Sequence, residues 1–257
     1  MTITAVLPVS RLQFLDRVLE SLLAQTRRPN YLLVVFDGPE NDLIEARNKI
    51  IGLDFESVRF VQSENLIPAF SIPDRRIHIT NIHNQMSEMI GETDWVFSIE
   101  DDGILPPNAL ERLVKIAQEK DNLGMVTGVE LGRWGVPYVG AWRVDDINDV
   151  HVVTSMENRA FLPDYGIEEI DACGLYCALI KGNLYREHNF FTYNGLGPDV
   201  NFGLHIRKLG YNNYIDWGIP VAHMTMMGDQ EVVILPLELS KPIQLRLLSE
   251  NTWQATR

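Results

Sequence analysis

Two kinds of segment alternate along the first half of the chain. Uninterrupted apolar runs at Ile3–Val9, Tyr31–Phe36 and Trp95–Ile99 predict strands that are buried on both faces of a sheet. Apolar residues within Phe14–Leu23 recur at helical spacing instead, which predicts an amphipathic helix that ends near Thr26. This repetition of strand and helix predicts an α/β fold with a mainly parallel, doubly wound sheet and right-handed crossovers.

Weaker signals place the remaining elements of this half. A polar helix is expected over Glu40–Ile51, a strand over Val58–Val61 and a helix within Arg76–Ile90. Pro107 lies where the first turn of a helix tolerates proline, so another helix is expected from there to about Glu119.

The second half of the chain has a different pattern. Short strand-like pieces at Met125–Leu131, Tyr138–Val144 and Val150–Thr154 are separated by Gly and Asp and predict small antiparallel additions. A helix is expected over Val200–Lys208, and after His223 no periodicity is usable. We expect one domain over residues 1–257, with a first half to about residue 120, a second half over 121–227 and a tail over 228–257.

Charge and cysteine content narrow the class of protein. The formal net charge of −13 argues against a broad electrostatic grip on nucleic acid or anionic lipid, since both need a concentrated Lys/Arg surface. The spacing of Cys173 and Cys177 suits neither a zinc knuckle nor a redox pair, and we expect two small buried side chains. No signal peptide or membrane-spanning run is seen, so we expect a cytoplasmic protein without stable membrane insertion.

Three consecutive acids, Glu100, Asp101 and Asp102, follow the apolar strand that ends at Ile99. Carboxylates this close repel one another, and a divalent cation such as Mg²⁺ or Mn²⁺, which prefers oxygen ligands, relieves that repulsion. Such a metal could bridge a diphosphate and neutralise charge on a departing phosphate. The alternative is a solvated acidic turn before the next helix, where acids are favoured by the helix dipole.

Three other polar residues lie at suggestive positions. Asp37 follows a predicted strand near the same sheet edge, although Asp-Gly is also simply a good turn. Asp199 precedes a predicted helix. It could stabilise the start of that helix, or it could act as a general base that takes a proton from an acceptor hydroxyl. His223 ends a strand-like run and is either structural or a ligand for Mn²⁺.

The order of these pieces resembles family 2 glycosyltransferases, which have the GT-A fold. Residues 6–9 (V-L-P-V), 19–26 (L-E-S-L-L-A-Q-T) and 34–38 (V-V-F-D-G) are similar to the family's opening strand, its "L-x-S-L-x-x-Q-T" helix and its "V-D-D-G-S" strand end, which shape the nucleotide pocket. By this resemblance, Pro8 lines the pocket and Asp37 contacts the base or ribose. Phe36 and Pro39 depart from the family's first Asp and its Ser.

Later segments continue the resemblance over about residues 3–225. Residues 95–110 look like the family's "D-x-D" segment, which implies Asp102 as a metal ligand, with Glu100 beside it and Asp101 on the nucleotide side. Asn84 resembles an asparagine of the family's third helix that usually follows an arginine. His83 precedes it here, so the phosphate-side arginine is absent or is supplied by Arg75 or Arg76.

The same resemblance covers the acceptor half. Residues 171–180 (D-A-C-G-L-Y-C-A-L-I) are similar to a segment in which a glycine, here Gly174, lines the donor sugar. Residues 197–211 resemble "G-E-D-x-D-L-x-x-R-x-x-x-x-G-Y", which implies Asp199 as the base, with Pro198 in place of Glu. His223 matches a late histidine that completes metal coordination.

The implied function is transfer of a sugar from a nucleoside-diphosphate sugar, with a UDP-sugar favoured, to an acceptor hydroxyl. Mn²⁺ or Mg²⁺ would serve as cofactor, and inversion of the anomeric centre is favoured. The acceptor stays open among a glycan, a small molecule, a protein and a modified nucleic acid base. Side chains that could stack on it are those of Trp134, Tyr138, Trp142 and Trp217. Two alternatives are an inactive glycosyltransferase-like binding module and a sugar-nucleotide pyrophosphorylase, whose Gly-rich loop is missing after the first strand.

Overall fold

We describe the fold from a computed structural model. It describes residues 1–64, 72–131, 138–150, 152–160, 166–193 and 195–236, together with the backbone of two strands at 243–249 and 252–256.

Sixteen strands and six α-helices are assigned within these residues. The strands are β1 (Ile3–Val9), β2 (Tyr31–Phe36), β3 (Ser57–Gln62), β4 (Trp95–Ile99), β5 (Gly103–Ile104), β6 (Leu123–Val129), β7 (Tyr138–Val144), β8 (Val153–Glu157), β9 (Ile167–Ile170), β10 (Ala172–Cys173), β11 (Cys177–Lys181), β12 (Asn212–Pro220), β13 (Ala222–Met227), β14 (Gln230–Leu235), β15 (Ile243–Ser249) and β16 (Thr252–Thr256). The helices are α1 (Leu15–Leu23), α2 (Leu43–Ile50), α3 (Ile72–Met89), α4 (Ala109–Glu119), α5 (Gly182–Glu187) and α6 (Pro198–Lys208), and a short 3₁₀ helix at Glu40–Asp42 precedes α2.

An eight-stranded sheet in the order β3-β2-β1-β4-β11-β6-β12-β9 forms the centre of the fold. The block β3-β2-β1-β4 is parallel throughout, and β12 runs parallel to β6. Strand β11 is antiparallel to both β4 and β6, and β9 is antiparallel to β12. The predicted mainly parallel α/β sheet is therefore confirmed.

Helices cover both faces of this sheet because its central strands are apolar on both sides. On β1, the side chains of Ala5 and Leu7 join a buried cluster with α1, α2 and α4. Val6, between them, belongs to a second buried cluster with residues of α3, α5 and α6. This alternation produces the three-layered, doubly wound arrangement.

One of the three strand-like pieces of the second half is not part of an antiparallel addition. Strands β7 and β8 form a small antiparallel sheet with β10, as the pattern predicts for an addition. Strand β6 is instead part of the central sheet, since it pairs with β11 and β12. All seven residues of β6 are buried, which suits a central strand and not an exposed addition.

A third sheet, in the order β16-β15-β14-β13-β5, joins β5 to four strands from the end of the chain, where the sequence shows no periodicity after His223. Its strand β5 follows the acidic cluster directly, and the backbone of His223 pairs with that of Gly103. The amide of Met224 donates a hydrogen bond of 2.7 Å to the carbonyl oxygen of Asp102. This pairing brings the late histidine to the acidic turn.

Among the described helices, none combines the length and the apolar character that crossing a bilayer requires.

Candidate active site

Most of the predicted site residues gather at one edge of the central sheet. Asp37 follows β2 and the acids Glu100–Asp102 follow β4, while β1 lies between these two strands. Because the three strands are parallel, their carboxyl ends meet at the same edge, where ligands bind in sheets of this kind.

The side chain of Asp101 anchors the loop that follows β1. Its Oδ2 accepts hydrogen bonds from the amide of Ser10 at 2.8 Å, the hydroxyl of Ser10 at 3.0 Å and the amide of Arg11 at 3.0 Å. The carboxylate is only 5% exposed. Asp101 thus holds the β1–α1 loop in place, a role that the resemblance to nucleotide-binding acids did not indicate.

Arg11 joins the two aspartates of the cluster. One nitrogen, Nη2, donates to Oδ1 of Asp101 at 2.6 Å and to Oδ2 of Asp102 at 2.7 Å. The Arg11 side chain is 36% exposed, whereas that of Asp102 is fully buried. The guanidinium therefore reaches from the protein surface to a buried carboxylate and balances its charge.

Asp102 and His223 face each other within the site. Nε2 of His223 lies 3.4 Å from Oδ2 of Asp102, and its Nδ1 donates to the carbonyl oxygen of Leu131 at 2.9 Å. The bond to a carbonyl requires a proton on Nδ1, so Nε2 is the nitrogen that is directed at Asp102. Pairing of β13 with β5 creates this juxtaposition.

Glu130 is a buried acid that sequence reasoning did not select. It follows β6, is 7% exposed, and its Oε2 lies 3.6 Å from Nδ1 of His223. Burial alone would lower the pKa of His223, but the carboxylates of Glu130 and Asp102 raise it to about 9. An acid directly after an apolar strand is the signal that could have identified it, as it identified Asp37.

Excess negative charge marks the centre of the cluster. Burial and the nearby carboxylates of Glu130 and Asp102 raise the pKa of Glu100 well above its ordinary value. The charge of Asp199 acts in the same direction, so the structure brings Asp199 within electrostatic reach of Glu100.

Asp199 occupies the first turn of α6, after the N-cap Gly197. Burial raises its pKa, against the opposing effect of backbone N–H groups at the helix start and of Arg76. Arg76, on α3, donates to the carbonyl oxygen of Gly195 in the loop before α6. A carboxylate whose pKa is raised in this way is suited to proton transfer.

The carboxylate of Asp37 is paired with a histidine. Oδ2 of Asp37 contacts Nε2 of His78 on α3, and the aspartate side chain is 6% exposed. The amide of Asp37 donates to the carbonyl oxygen of Val9 at 2.7 Å, which holds the ends of β1 and β2 together. His78 was not selected from the sequence because its partner lies about 40 residues away.

One pair of side chains in the cluster, Asp102 and His223, has about the spacing of two ligands on one metal ion. Metal–ligand bonds of about 2.1 Å place two ligand atoms on one ion about 3 Å apart, and Oδ2 of Asp102 and Nε2 of His223 are separated by 3.4 Å. Within the described residues, no group of three or more His, Cys, Asp or Glu side chains is placed to hold a metal ion. An ion bound by Asp102 and His223 would therefore need its remaining ligands from elsewhere.

Comparisons with solved structures identify the fold. The chain superposes on A197 from STIV with a TM-score of 0.54 and 13% identity over 98% of both chains. It superposes on GalNAc-T7, solved with UDP, GalNAc and Mn²⁺, with a TM-score of 0.59 and 15% identity over 87% of this chain and 44% of that chain. The protein has the GT-A fold.

A third structure with this fold is the mannosyltransferase PcManGT from Pyrobaculum calidifontis, solved with GDP-Man and Mn²⁺. The TM-score is 0.51 with 17% identity, over 82% of this chain and 53% of that chain. The chain thus spans about half the length of PcManGT and of GalNAc-T7. No protein-family model matches the chain, and no curated protein matches it in sequence.

Three residues that the resemblance assigns to donor binding have other contacts in this GT-A structure. Pro8 is buried in β1 opposite Val35. Both polar groups of the Asn84 side chain bond the backbone of Phe190, at 2.7 and 3.0 Å. The amide of Gly174 donates to the carbonyl oxygen of Gly140 at 2.8 Å. These contacts give each residue a structural role.

The aromatic residues that could stack on an acceptor differ in their exposure to solvent. Tyr138 is 44% exposed, whereas Trp217 is 2% exposed and its Nε1 donates to Glu168 at 3.0 Å. Trp142 is partly buried among the apolar residues that pack against α6 and β10. Trp134 lies outside the described residues. Of the described three, Tyr138 has the most open ring.

Both cysteines are buried and free of disulfides, as expected from their sequence context. Burial raises the pKa of the Cys173 and Cys177 thiols, so neither is activated as a nucleophile.

Proposed function

We propose that the protein is a metal-dependent glycosyltransferase that transfers a sugar from a nucleoside-diphosphate sugar to an acceptor hydroxyl. The observation that carries this proposal is the convergence of Asp102, His223 and Glu100 at the carboxyl edge of a GT-A sheet. Two proteins of the same fold, GalNAc-T7 and PcManGT, were solved with Mn²⁺ together with UDP or GDP-Man, which supports a nucleotide-sugar donor here.

In this proposal, Asp102 and His223 hold Mn²⁺ or Mg²⁺ and Glu100 assists them. When bound, such an ion supplies positive charge that stabilises the departing diphosphate. The hydrogen bond from Nδ1 of His223 to the carbonyl oxygen of Leu131 would orient Nε2 toward the metal. Since the pKa of His223 is about 9 without metal, a proton has to leave Nε2 before that nitrogen can act as a ligand.

In the same proposal, Asp37 would bind the nucleoside of the donor and Asp199 would act on the acceptor. Asp37, oriented by His78, contacts the base or ribose at the ends of β1 and β2. Asp199 removes the proton from the acceptor hydroxyl in an inverting displacement, and its raised pKa favours uptake of that proton. UDP is the favoured nucleotide.

Thermal stability with nucleotides tests the donor site. We expect one of UDP, GDP, TDP and CMP to raise the unfolding midpoint only when Mn²⁺ is present, by about 2.7 kcal/mol of stabilisation at a hundredfold excess over its dissociation constant. Asp102→Asn removes this shift. Asp16→Asn, at an exposed carboxylate paired with Lys49, keeps it.

The outcomes separate the two remaining functional classes. Absence of a shift with all four nucleotides overturns the transferase proposal. A nucleotide-induced thermal shift favours an inactive binding module with the same fold if the protein neither hydrolyses the donor nor transfers its sugar to any acceptor. Metal-dependent release of UDP from a UDP-sugar supports the enzyme.

Asp199 is tested by separating binding from turnover. For an inverting enzyme, Asp199→Asn is expected to lower kcat by about 10²–10⁴-fold, the usual contribution of a general base, while the nucleotide-induced thermal shift stays. A variant that keeps wild-type kcat assigns Asp199 to orientation of the reactants, as in a retaining enzyme.

A further inference from the structure

Arg11 contacts the same oxygen of Asp102 that a metal ion would use. Its Nη2 lies 2.7 Å from Oδ2 of Asp102, and Nε2 of His223 lies 3.4 Å from that oxygen. An ion held by Asp102 and His223 would sit within a few ångströms of the guanidinium. Since arginine stays protonated in proteins and like charges at such distances repel strongly, the two cations compete for one carboxylate.

The hold of Arg11 on the aspartates is partial. A single nitrogen makes both bonds, in contrast to the two parallel bonds of a forked arginine–carboxylate pair. Within the described residues, Nε of Arg11 is buried and makes no hydrogen bond. A second anion that offers a better geometry could therefore draw the guanidinium away.

The loop geometry allows the side chain to move while its backbone stays in place. Oδ2 of Asp101 accepts hydrogen bonds from the amides of Ser10 and Arg11, so the base of the side chain is fixed at the end of β1. The side chain is 36% exposed. A change of its rotamer would leave the two backbone bonds to Asp101 intact.

We propose that Arg11 excludes the divalent ion from Asp102 in the free protein and transfers to the donor diphosphate when metal and nucleotide bind together. This inference rests on the proposed function. Arg11 would then be a positioning residue that couples the two ligands, because phosphate offers the guanidinium the forked partner that the aspartates do not. By linkage, each ligand raises the affinity for the other by the same factor.

The decisive experiment measures Mn²⁺ binding without nucleotide, by the electron paramagnetic resonance signal of free Mn²⁺. Arg11→Met removes the charge and keeps much of the side-chain volume, and we expect it to bind Mn²⁺ at least about tenfold more tightly than the wild type, within the range typical of site coupling. Arg28→Met, which removes an exposed arginine paired with Asp54, should leave the Mn²⁺ affinity unchanged. Equal or weaker Mn²⁺ binding by Arg11→Met overturns the inference.

A second measurement uses the UDP affinity with and without saturating Mn²⁺. We expect strong mutual enhancement of UDP and Mn²⁺ binding in the wild type, and an enhancement at least about fivefold smaller in Arg11→Met. Arg11→Lys retains the positive charge, so its Mn²⁺ affinity should stay near that of the wild type. Independent binding of the two ligands to the wild type overturns the inference without any variant.

The two proposals fail in different ways. A wild-type protein that binds neither Mn²⁺ nor UDP, GDP, TDP or CMP overturns the proposed function and this inference together. A wild-type protein that binds both ligands, with an Arg11→Met variant of unchanged Mn²⁺ affinity, overturns only the role of Arg11.

Discussion

At the scale of single residues, Asp101 and Asp102 are neighbours with different tasks. Asp101 directs its carboxylate back at the β1–α1 loop, whereas Asp102 faces His223. The same strand end thus supplies one acid that holds the loop and another that faces a histidine.

Asp101→Ala is expected to lower the free energy of unfolding by about 1–3 kcal/mol, because it removes the acceptor of three part-buried hydrogen bonds from Ser10 and Arg11. Urea denaturation of the metal-free protein measures the change. Asp16→Ala, at an exposed acid paired with Lys49, should change stability by less than about 1 kcal/mol. Similar effects for the two variants would show that the loop does not depend on Asp101.

His83 makes stability depend on pH. Burial lowers its pKa to about 4, while the unfolded chain keeps the ordinary value of about 6.5. The unfolded state therefore binds the proton more readily, and the stability contributed above pH 6.5 is lost as the pH falls toward 4. Between about pH 7.5 and 5, we expect a loss of about 2 kcal/mol from this residue.

His83→Gln provides the control, since it cannot titrate and retains a polar group near the hydroxyl of Tyr185. Its unfolding free energy should fall about 2 kcal/mol less than that of the wild type over the same pH range. Identical pH profiles would contradict a neutral, buried His83.

Whether the sequence indicates a residue of the candidate site depends on where that residue's partners lie in the chain. Asp37, Asp102 and His223 each follow an apolar run, and this local signal is visible without a structure. Arg11 gains its place at the site only through contacts with acids about 90 residues away. No local pattern encodes such a contact, so Arg11 was not selected.

At the scale of elements, the sequence clearly predicts the strands that consist almost entirely of apolar residues. The bounds of β2 and β4 match the predicted runs. Strand β12 was not predicted, because it carries Asn213 and Asp216, which hydropathy assigns to the surface. Both are buried, and each has a distant partner that compensates: Nδ2 of Asn213 donates to backbone carbonyls, and Asp216 accepts two bonds from Arg112.

Close packing of α6 on β10 requires a glycine at position 203. A Cβ there would lie 2.7 Å from Cα of Ala172, which is a backbone atom that cannot easily move. In an open helix, Gly→Ala stabilises by about 0.5–1 kcal/mol. Here we expect the opposite sign, with Gly203→Ala destabilising the protein by about 1–3 kcal/mol through overpacking.

Thermal or urea unfolding measures that change. Asn48→Ala, on the exposed side of α2, serves as the control and should be neutral or slightly stabilising because alanine is the better helix former. Stabilisation by Gly203→Ala would show that α6 can move away from β10. Since α6 carries Asp199, such a shift would also displace the proposed base.

At the scale of the whole molecule, the net charge of −13 predicts self-repulsion that salt reduces. Raising NaCl from about 0.02 M to about 0.3 M shortens the Debye length to below about 10 Å, so we expect the unfolding midpoint to rise by a few degrees. EDTA in both buffers removes divalent ions that could mimic the effect. A lower midpoint in salt would show that local ion pairs outweigh the net repulsion.

The pairing of β13 with β5 determines how much of the chain must be made before Asp102 and His223 can meet. Asp102 and His223 are about 120 residues apart in the chain, and the pairing of β13 with β5 brings them together. On the ribosome, a nascent chain that stops before β13 has the acidic turn and lacks the imidazole. On the proposed function, metal affinity would therefore arise only after β13 has been made and has paired with β5.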